Sequence, residues 1–373
     1  TMRDGRRGFV IRVNPGAFLG ANVEGILTSC LEVVNVDGAV ANFFTFASRN
    51  IENRVREFEN LHLTAPINVQ HPDVLHDMIR SRARHLRKWT DESMLEGVDL
   101  RVRDFINLVS FSFPEGTPKA KMDSYYAQIR GSISELNPSN FSGQEMITMV
   151  KEILSPEVES WDSPEDYTID LSTQMTSEGT RIRTSSDGGV LIGDTWHAKV
   201  ITTKNFPKSI TLSEFTGLFY DKYGTSVQNT VASPFMVSLT ISYDNVEKTN
   251  KKLADAAAWN IKETNKLDST LKDSHPDLQR RAEEARLVTS YQDAGEVPLR
   301  AMWSFIIYDN DEARLEEYYG KAVAQFRKKG WSIIQENFGN ISLMSLMASL
   351  PLNFNSNVKD MLKRFRILFL SNN

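Results

Sequence analysis

Apolar and polar residues alternate along this chain in patterns that predict both strands and helices. Residues 8–13 and 39–47 are short apolar runs of the kind that form buried strands. In residues 108–113 apolar side chains alternate with serine, which predicts a half-buried strand. Apolar residues recur at helical spacing across residues 72–89, so this segment is predicted to be a helix that starts at a proline.

Two further strands are predicted in the second half, each followed by a helix. Residues 235–243 and 301–308 have strand patterns, and each runs into the sequence Tyr-Asp-Asn. Two explanations of this similarity are open. The chain contains a duplicated strand–helix element, or two unrelated helices each begin with an Asx cap. Residues 245–294 are polar, lysine-rich and helical with a break near His275, which predicts a projecting helical hairpin. Its predicted apolar seam is Leu253, Ala257, Ile261, Leu267 and Leu271.

The chain is predicted to have two α+β subdomains. Ser142 to Glu145 (SGQE) has the capping-box sequence that opens a helix. Residues 155–166 (SPEVESWDSPED) are rich in proline, serine and acidic residues, which predicts a linker between residues 1–154 and residues 167–373. Because strands and helices do not alternate regularly, we expect an α+β fold with mixed β-sheets packed with helices and a long helical hairpin at 245–294.

Charge and cysteine content exclude some functional classes. The 373 residues carry 43 Lys and Arg against 48 Asp and Glu, a net charge of −5. This balance argues against a dedicated nucleic-acid binder. A single cysteine, Cys30, rules out a disulfide framework and fits a reducing compartment. Its apolar surroundings predict a buried, inert thiol. No segment has the pattern of a signal peptide or a membrane span.

A glycine-rich segment at residues 188–195 has the spacing of a phosphate-binding loop, with one disqualifying difference. Asp194 occupies the position of the lysine that contacts the phosphates, and its charge has the wrong sign. We therefore predict a hairpin turn at Asp187 and Gly188. Asp309 follows an apolar strand, as a magnesium-binding aspartate does in phosphate-loop ATPases. Without a phosphate loop it is predicted to cap the next helix.

No catalytic or cofactor site is predicted from residue spacing. The six histidines include no i, i+4 pair of the kind that binds a metal on a helix, and none is adjacent to Cys30. No Ser-His-Asp arrangement or catalytic carboxylate pair is identifiable. The expectation is thus no catalytic, cofactor-binding or metal-binding residue in this chain.

One helix carries an unusual run of positive charge. Its basic residues are Arg80, Arg82, Arg84, His85, Arg87 and Lys88, and Arg101 and Arg103 follow. One interpretation is a contact with anionic lipid, nucleic acid or an acidic partner. The other is a solvated helix face whose cations pair with Asp73, Asp77, Asp91 and Glu92. The candidate membrane or partner contacts are Arg80, Arg82, Arg84, Arg87 and Lys88.

Several short segments, taken in order, form a recognisable pattern. They are residues 3–9 (RDGRRGF), 79–86 (IRSRARHL) with the strand 109–114, 199–201 with 205–207 (NFP), 218–221 (LFYD), 234–239 (PFMVSL), 350–352 (LPL), 362–366 (LKRFR) and 370–373 (LSNN). In this order and spacing they resemble the N-terminal half of the TraC-like conjugative ATPases, the F-type branch of the type IV secretion ATPase family.

This resemblance implies a place in pilus assembly and DNA transfer. Family members continue into a RecA-like motor domain, so the resemblance implies a chain truncated before that domain, which would bind ATP and Mg²⁺. By this resemblance, the chain would be a cytoplasmic module, peripheral to the inner membrane, that docks the motor to inner-membrane channel subunits. It would assemble as a homo-oligomer, a hexamer by resemblance, and its basic helix would face an anionic lipid surface or a channel subunit.

Two other functional classes remain open at this point. A self-contained enzyme would build its site from residues distant in sequence, such as acidic side chains near Tyr243 and Tyr308, and would show a deep polar pocket. A DNA-contacting module would use the region from Arg80 to Arg103 and bind in a strongly salt-dependent way. The net charge makes direct DNA contact the weakest of these hypotheses.

Overall fold

The strands of this protein pair into one antiparallel sheet. The computed structural model describes residues 5–14, 23–64, 71–97, 99–158, 161–205, 231–243, 245–266, 276–294, 297–335, 339–353 and 366–370. Within these ranges the strands are β1 (Arg7–Val13), β2 (Val40–Ser48), β3 (Asp104–Phe113), β4 (Pro138–Asn140), β5 (Ile182–Thr184), β6 (Val190–Ile192), β7 (Trp196–Asn205), β8 (Phe235–Ser242), β9 (Val297–Asp309), β10 (Ser332–Gln335) and β11 (Arg366–Leu370).

The sheet joins the two halves of the chain. Its strand order is β4-β1-β3-β2-β8-β9-β7-β6-β5, with β10 paired to β7 and β11 paired to β9. The halves meet where β2 pairs with β8, from Val40 opposite Ser242 to Ala47 opposite Phe235. Most of β2 is buried because its alternate side chains enter cores on both faces of the sheet. The α+β class is confirmed, and a single antiparallel sheet takes the place of the several mixed sheets expected.

Helices cover both faces of this sheet. They are α1 (Val23–Glu32), α2 (Glu52–Thr64), α3 (Pro72–Lys88), α4 (Lys119–Ser132), α5 (Gly143–Leu154), α6 (Leu171–Gln174), α7 (Val246–Asn265), α8 (Pro276–Asp293), α9 (Glu312–Lys328) and α10 (Gly339–Ser349). Cores that include α1, α4 and α9 contain Phe111 and Phe305, which share one face of the sheet. A core that includes α5 and α10 contains Phe44 and Met236 on the opposite face. Alternate residues of each strand therefore enter different cores.

The cysteine prediction is confirmed. Cys30 is buried in the core that contains α1 and α4. Burial raises the pKa of its thiol to about 12, against a smaller opposing effect of a hydrogen bond with Ser132. The thiol is therefore uncharged at neutral pH, as expected of an inert structural cysteine.

The capping box is present at the start of α5. Ser142 Oγ accepts a hydrogen bond from the Glu145 amide at 3.2 Å, and Glu145 Oε2 accepts one from the Ser142 amide at 2.9 Å. These bonds satisfy two amides that the helix itself leaves without partners.

Substituting Ser142 by alanine is expected to lower the free energy of unfolding by about 1 kcal/mol, because the Glu145 amide loses its acceptor. Urea unfolding measures the change. The same substitution at Ser290, exposed inside α8, serves as the control, and there alanine should be neutral or slightly stabilising. Equal effects at both positions would contradict the role of the cap.

The helix caps correct one prediction. Asp311, not Asp309, caps α9, since Asp311 Oδ1 accepts from the Arg314 amide at 3.1 Å. Asp309 is instead buried at the end of β9 and pairs with the Arg314 side chain. Asn245 caps α7 by accepting from the Lys248 amide at 2.9 Å. Both strands therefore lead into helices with Asx caps, and the hypothesis of a duplicated element stays open.

The predicted helical hairpin is formed by α7 and α8. The two helices pack against each other, and Gln292 Nε2 donates to the Asn250 carbonyl at 3.0 Å. Ala257 is buried and Leu253 and Ile261 are half-buried, in agreement with the seam prediction. The other predicted seam residues, Leu267 and Leu271, lie outside the described residues, as do residues 218–221 and 362–365.

The predicted linker packs against its surroundings. The Arg49 guanidinium lies over the rings of Trp161 and Trp196, with centroid distances of 5.2 and 4.2 Å, and donates to the Pro156 carbonyl at 2.9 Å. Ser155 Oγ lies 2.9 Å from Thr180 Oγ1. The division into two subdomains at this segment stays a prediction. In the described part of the chain, each helix is too short or too polar to cross a bilayer.

Candidate interaction surface

The basic helix α3 packs beside α2 on a small core of its own. Ile51, Val55 and Ala83 form this core, with Leu86 and Val102 packed against it. Arg87 ties the two helices together through Glu52, with Nε to Oε2 at 2.8 Å and Nη2 to Oε1 at 2.9 Å, and through Glu59 at 3.1 Å.

Arg87 is therefore part of the contact between the two helices. Its hydrogen bond is the main reason that the pKa of Glu52 is lowered. An arginine fork that binds a carboxylate with two hydrogen bonds fixes orientation as well as charge. Of the five predicted contact residues, Arg87 is the one that faces α2 in this way.

The side of α3 that faces away from this core combines cations with apolar side chains. Val74 and Met78 are 59% and 65% exposed. Val74 and the buried Ala83 lie on opposite sides of the helix, because each residue turns the helix by about 100°. Arg82 and Arg84 fall on either side of the Val74–Met78 line. We call the exposed set Val74, Met78, Arg82, Arg84 and Lys88 the α3 outer face.

Only some of the cations of α3 are neutralised. Arg80 lies 4.0 Å from Asp77, and Lys88 lies 3.0 Å from Glu92, as the interpretation of a solvated helix face expects. Arg82 and Arg84 are exposed and have no ion pair within the described residues. The α3 outer face thus presents uncompensated positive charge next to exposed apolar surface.

The arginines after α3 lie in different surroundings. Arg101 pairs with Asp99 at 2.8 Å, and Asp99 accepts a hydrogen bond from the Tyr318 hydroxyl of α9. Arg103 donates to the carbonyls of Thr90 at 2.7 Å and Ala232 at 2.6 Å. These contacts fix the segment after α3 to the second half of the chain. Arg101 and Arg103 therefore do not extend the α3 outer face.

A buried carboxylate, not predicted from the sequence, lies at the same end of the sheet. Glu152 of α5 accepts hydrogen bonds from the Ser48 hydroxyl at 2.5 Å and from the Arg49 amide at 2.7 Å. Burial raises its pKa, and these hydrogen bonds oppose the rise. In the sequence, this buried carboxylate is indicated by a glutamate on the otherwise apolar face of α5.

The glycine-rich segment forms a hairpin, as predicted. Strands β5 and β6 pair on either side of a turn in which Gly188 has φ +86° and its amide donates to the Ser185 carbonyl at 3.2 Å. Asp194 is exposed and lies 3.5 Å from Arg183. Within the residues that the structure describes, no three His, Cys, Asp or Glu side chains come together as metal ligands.

The whole pattern of the chain matches one protein family. A family model described as TraC protein matches residues 1–354. A search of curated proteins finds no match to the chain. The family match spans both halves of the sheet and includes α3. The chain therefore belongs to the TraC protein family and is a conjugative-transfer protein.

Proposed function

We propose that this chain is the docking and assembly module of a type IV secretion ATPase, and that it tethers the motor to the inner-membrane channel. The observation that carries the proposal is the α3 outer face, where Arg82 and Arg84 have no ion pair in the described structure and flank the exposed Val74 and Met78. A solvated helix face that only maintains solubility does not need exposed apolar residues between its cations.

Attachment to the anionic inner leaflet follows from this combination. Each Lys or Arg near such a surface contributes about 1 kcal/mol, and apolar side chains add to this when they enter the headgroup region. Arg82 and Arg84, together with the exposed Val74 and Met78, then support reversible, peripheral binding. In this proposal the protein is cytoplasmic and binds at the membrane beside the channel subunits.

The proposal gives this chain no catalysis of its own. ATP and Mg²⁺ would bind to the RecA-like motor domain found in this family, and the segment at residues 188–195 is a hairpin with an aspartate at the lysine position. The chain would contribute to the homo-oligomer, a hexamer by resemblance, by holding each motor at the channel.

Replacing both Arg82 and Arg84 by alanine tests the docking surface. Binding to vesicles that contain phosphatidylglycerol should weaken by about thirtyfold, since two cations at about 1 kcal/mol each are lost. Co-sedimentation with these vesicles measures the change. Binding should also fall as salt rises, and vesicles of phosphatidylcholine alone should not bind.

The matched control is the double replacement of Arg281 and Arg286 by alanine. These arginines are exposed on α8, so the control removes the same charge from a different surface. Its vesicle binding should stay within about threefold of the wild-type value. Equal loss in both double variants would mean that net charge alone governs binding, and wild-type protein that does not bind anionic vesicles would overturn the proposal.

A further inference from the structure

The outer edge of β1 is paired along only part of its length in the described structure. On its inner side, β1 pairs with β3 over all seven of its residues. On its outer side, β4 pairs with it from Ile11 to Val13. The edge from Arg7 to Val10 therefore has no strand of the described structure beside it. An unpaired edge presents backbone N–H and C=O groups with which another strand can pair.

Gly8 is an accessible point on this edge. Successive residues of a strand direct their N–H and C=O groups to alternate sides. The Asn14 amide donates to the Leu136 carbonyl at 3.2 Å, on the side of β4. Gly8 lies six residues before Asn14, so it directs its own N–H and C=O to that same side. It is exposed, and because glycine has no side chain, the exposed atoms belong to the backbone.

A groove lies beside the open edge, between β1 and α4. Its volume is about 330 Å³, and Phe9, Met122 and Tyr126 supply its apolar lining. The rings of Phe9 and Tyr126 meet edge to face, with 5.2 Å between their centroids. Engineered apolar cavities of about 150 Å³ bind benzene, so this groove has room for an aromatic side chain.

Positive charge predominates at the groove. Arg7 and Lys119 line it, both are exposed, and neither forms an ion pair with any residue that the structure describes. Asp123, one turn after Lys119 on α4, is the one carboxylate among the described lining residues. Two cations against one carboxylate favour an acidic residue in whatever binds here.

We propose that the open edge of β1 binds an extended, acidic segment of a partner protein, which adds to the sheet as a further strand. The segment runs antiparallel to β1, in line with β4, because the described strand pairs of this sheet are antiparallel. Its backbone pairs with Gly8. An apolar residue opposite Phe9 enters the groove, and an acidic residue two positions later lies opposite Arg7, on the same face.

This mode of binding separates affinity from specificity. Backbone hydrogen bonds to the edge supply affinity for any extended segment, whereas alternate side chains in the groove select the sequence apolar-x-acidic. The inference goes beyond the proposed attachment to lipid. No residue of the α3 outer face is among the described residues that line the groove, so either proposal can fail without the other.

Fluorescence anisotropy with a synthetic peptide tests the proposal on the 373-residue chain. The probe is Thr-Val-Thr-Phe-Thr-Glu-Thr with fluorescein at its N-terminus, which places Phe opposite Phe9 and Glu opposite Arg7. It should bind at one saturable site. The matched peptide Thr-Val-Thr-Thr-Phe-Glu-Thr has the same composition but places Phe and Glu on opposite faces of the strand. It should bind at least about tenfold more weakly.

Two N-methylated forms of the probe test the pairing of the backbone. Methylation of the threonine amide between Phe and Glu removes the N–H that donates to the Gly8 carbonyl and puts a methyl group between the strands. Binding should weaken at least about tenfold. The amide of the Phe residue points away from β1, so its methylation should change binding by less than about threefold.

Two substitutions on α4 locate the site on the protein. Lys119→Glu should weaken binding of the probe by about fivefold, since it replaces an attractive charge by a repulsive one at an exposed position. Lys121→Glu is the matched control, because Lys121 lies two residues away, is exposed and does not line the groove. Its effect should be less than about twofold.

Some results would overturn the proposal. They are non-saturable binding of the probe, equal binding of the rearranged peptide, equal effects of the two N-methylations, or equal effects of Lys119→Glu and Lys121→Glu. A chain that dimerises in sedimentation and dissociates when the probe is added would show that the edge binds a second copy, and this would exclude a partner protein as its occupant.

Discussion

Replacing Phe326 by alanine is expected to destabilise the protein by about 4 kcal/mol. Phe326 is fully buried on α9, and its ring lies 4.8 Å from Trp303, 5.5 Å from Trp331 and 5.8 Å from Phe305 between centroids. The substitution removes the ring from this aromatic cluster and leaves a cavity that α9 and β9 cannot close. Urea unfolding followed by tryptophan fluorescence measures the loss, and Trp303 and Trp331 report directly on the same cluster.

Phe105 provides the matched control for this substitution. It is 40% exposed on β3, and its ring lies 6.1 Å from that of Phe235. Phe105→Ala should therefore cost only about 1 kcal/mol, because the ring loses less buried contact and water already reaches it. If the two variants are equally stable, the packing of α9 on the sheet is not as described.

The second large effect is expected at Asp309. Asp309 is 2% exposed in its side chain, and Arg314 donates to it from Nε at 2.8 Å and from Nη2 at 2.5 Å. Ser233 donates to the same carboxylate. Asp309→Asn should lower the free energy of unfolding at neutral pH by about 3 kcal/mol, since removing the charge of the buried partner leaves Arg314 without its nearest counter-ion.

The effect of this substitution should depend on pH in one direction. Burial raises the pKa of Asp309, but the hydrogen bonds from Arg314 and Ser233 outweigh it, so that the pKa lies below its usual value of 3.8. The ion pair therefore stabilises the fold above about pH 4, and this contribution is lost as pH falls through the lowered pKa. The stability difference between wild type and variant should be constant from about pH 5 to 7 and shrink in more acidic solution.

Asp194 is the control for the pH series. It is 86% exposed in its side chain and pairs with Arg183 at 3.5 Å, so Asp194→Asn should change stability by less than about 0.5 kcal/mol at any of these pH values. A stability difference for Asp309→Asn that stays the same in acid would show that charge is not the cause of its effect.

Local sequence patterns predicted about half of the elements in the described chain. The prediction of a strand at 39–47 matches β2, and that of a helix from Pro72 matches α3, because alternation and helical spacing depend only on neighbouring residues. The capping box at Ser142 and the turn at Gly188 were predictable for the same reason, because each depends on residues only a few positions apart. Asp309 was assigned wrongly because two aspartates near the start of α9 both fit an Asx cap, and only the fold places one of them inside.

The candidate surface and the role of Arg103 needed contacts between distant segments. Helical spacing showed a basic helix, but not that Arg87 pairs with Glu52 of the neighbouring helix while Arg82 and Arg84 stay unpaired. Arg103 belonged to the same run of positive charge, and its contact with the Ala232 carbonyl spans more than a hundred residues. No local pattern separates an exposed arginine from one that binds backbone carbonyls inside the fold.

The pairing of β2 with β8 has a consequence for how the chain folds as it is made. The partner of Ala47 is Phe235 and that of Val40 is Ser242, so one edge of β2 remains open until β8 has left the ribosome. At about 5–20 residues per second this delay is roughly 10 to 40 s. During that time the nascent first half exposes the unpaired edge of an apolar strand, which is the kind of surface that chaperones bind and that aggregates when they do not. The arrival of β8 thus closes the open edge of β2 and passes the requirement for a partner on to β9.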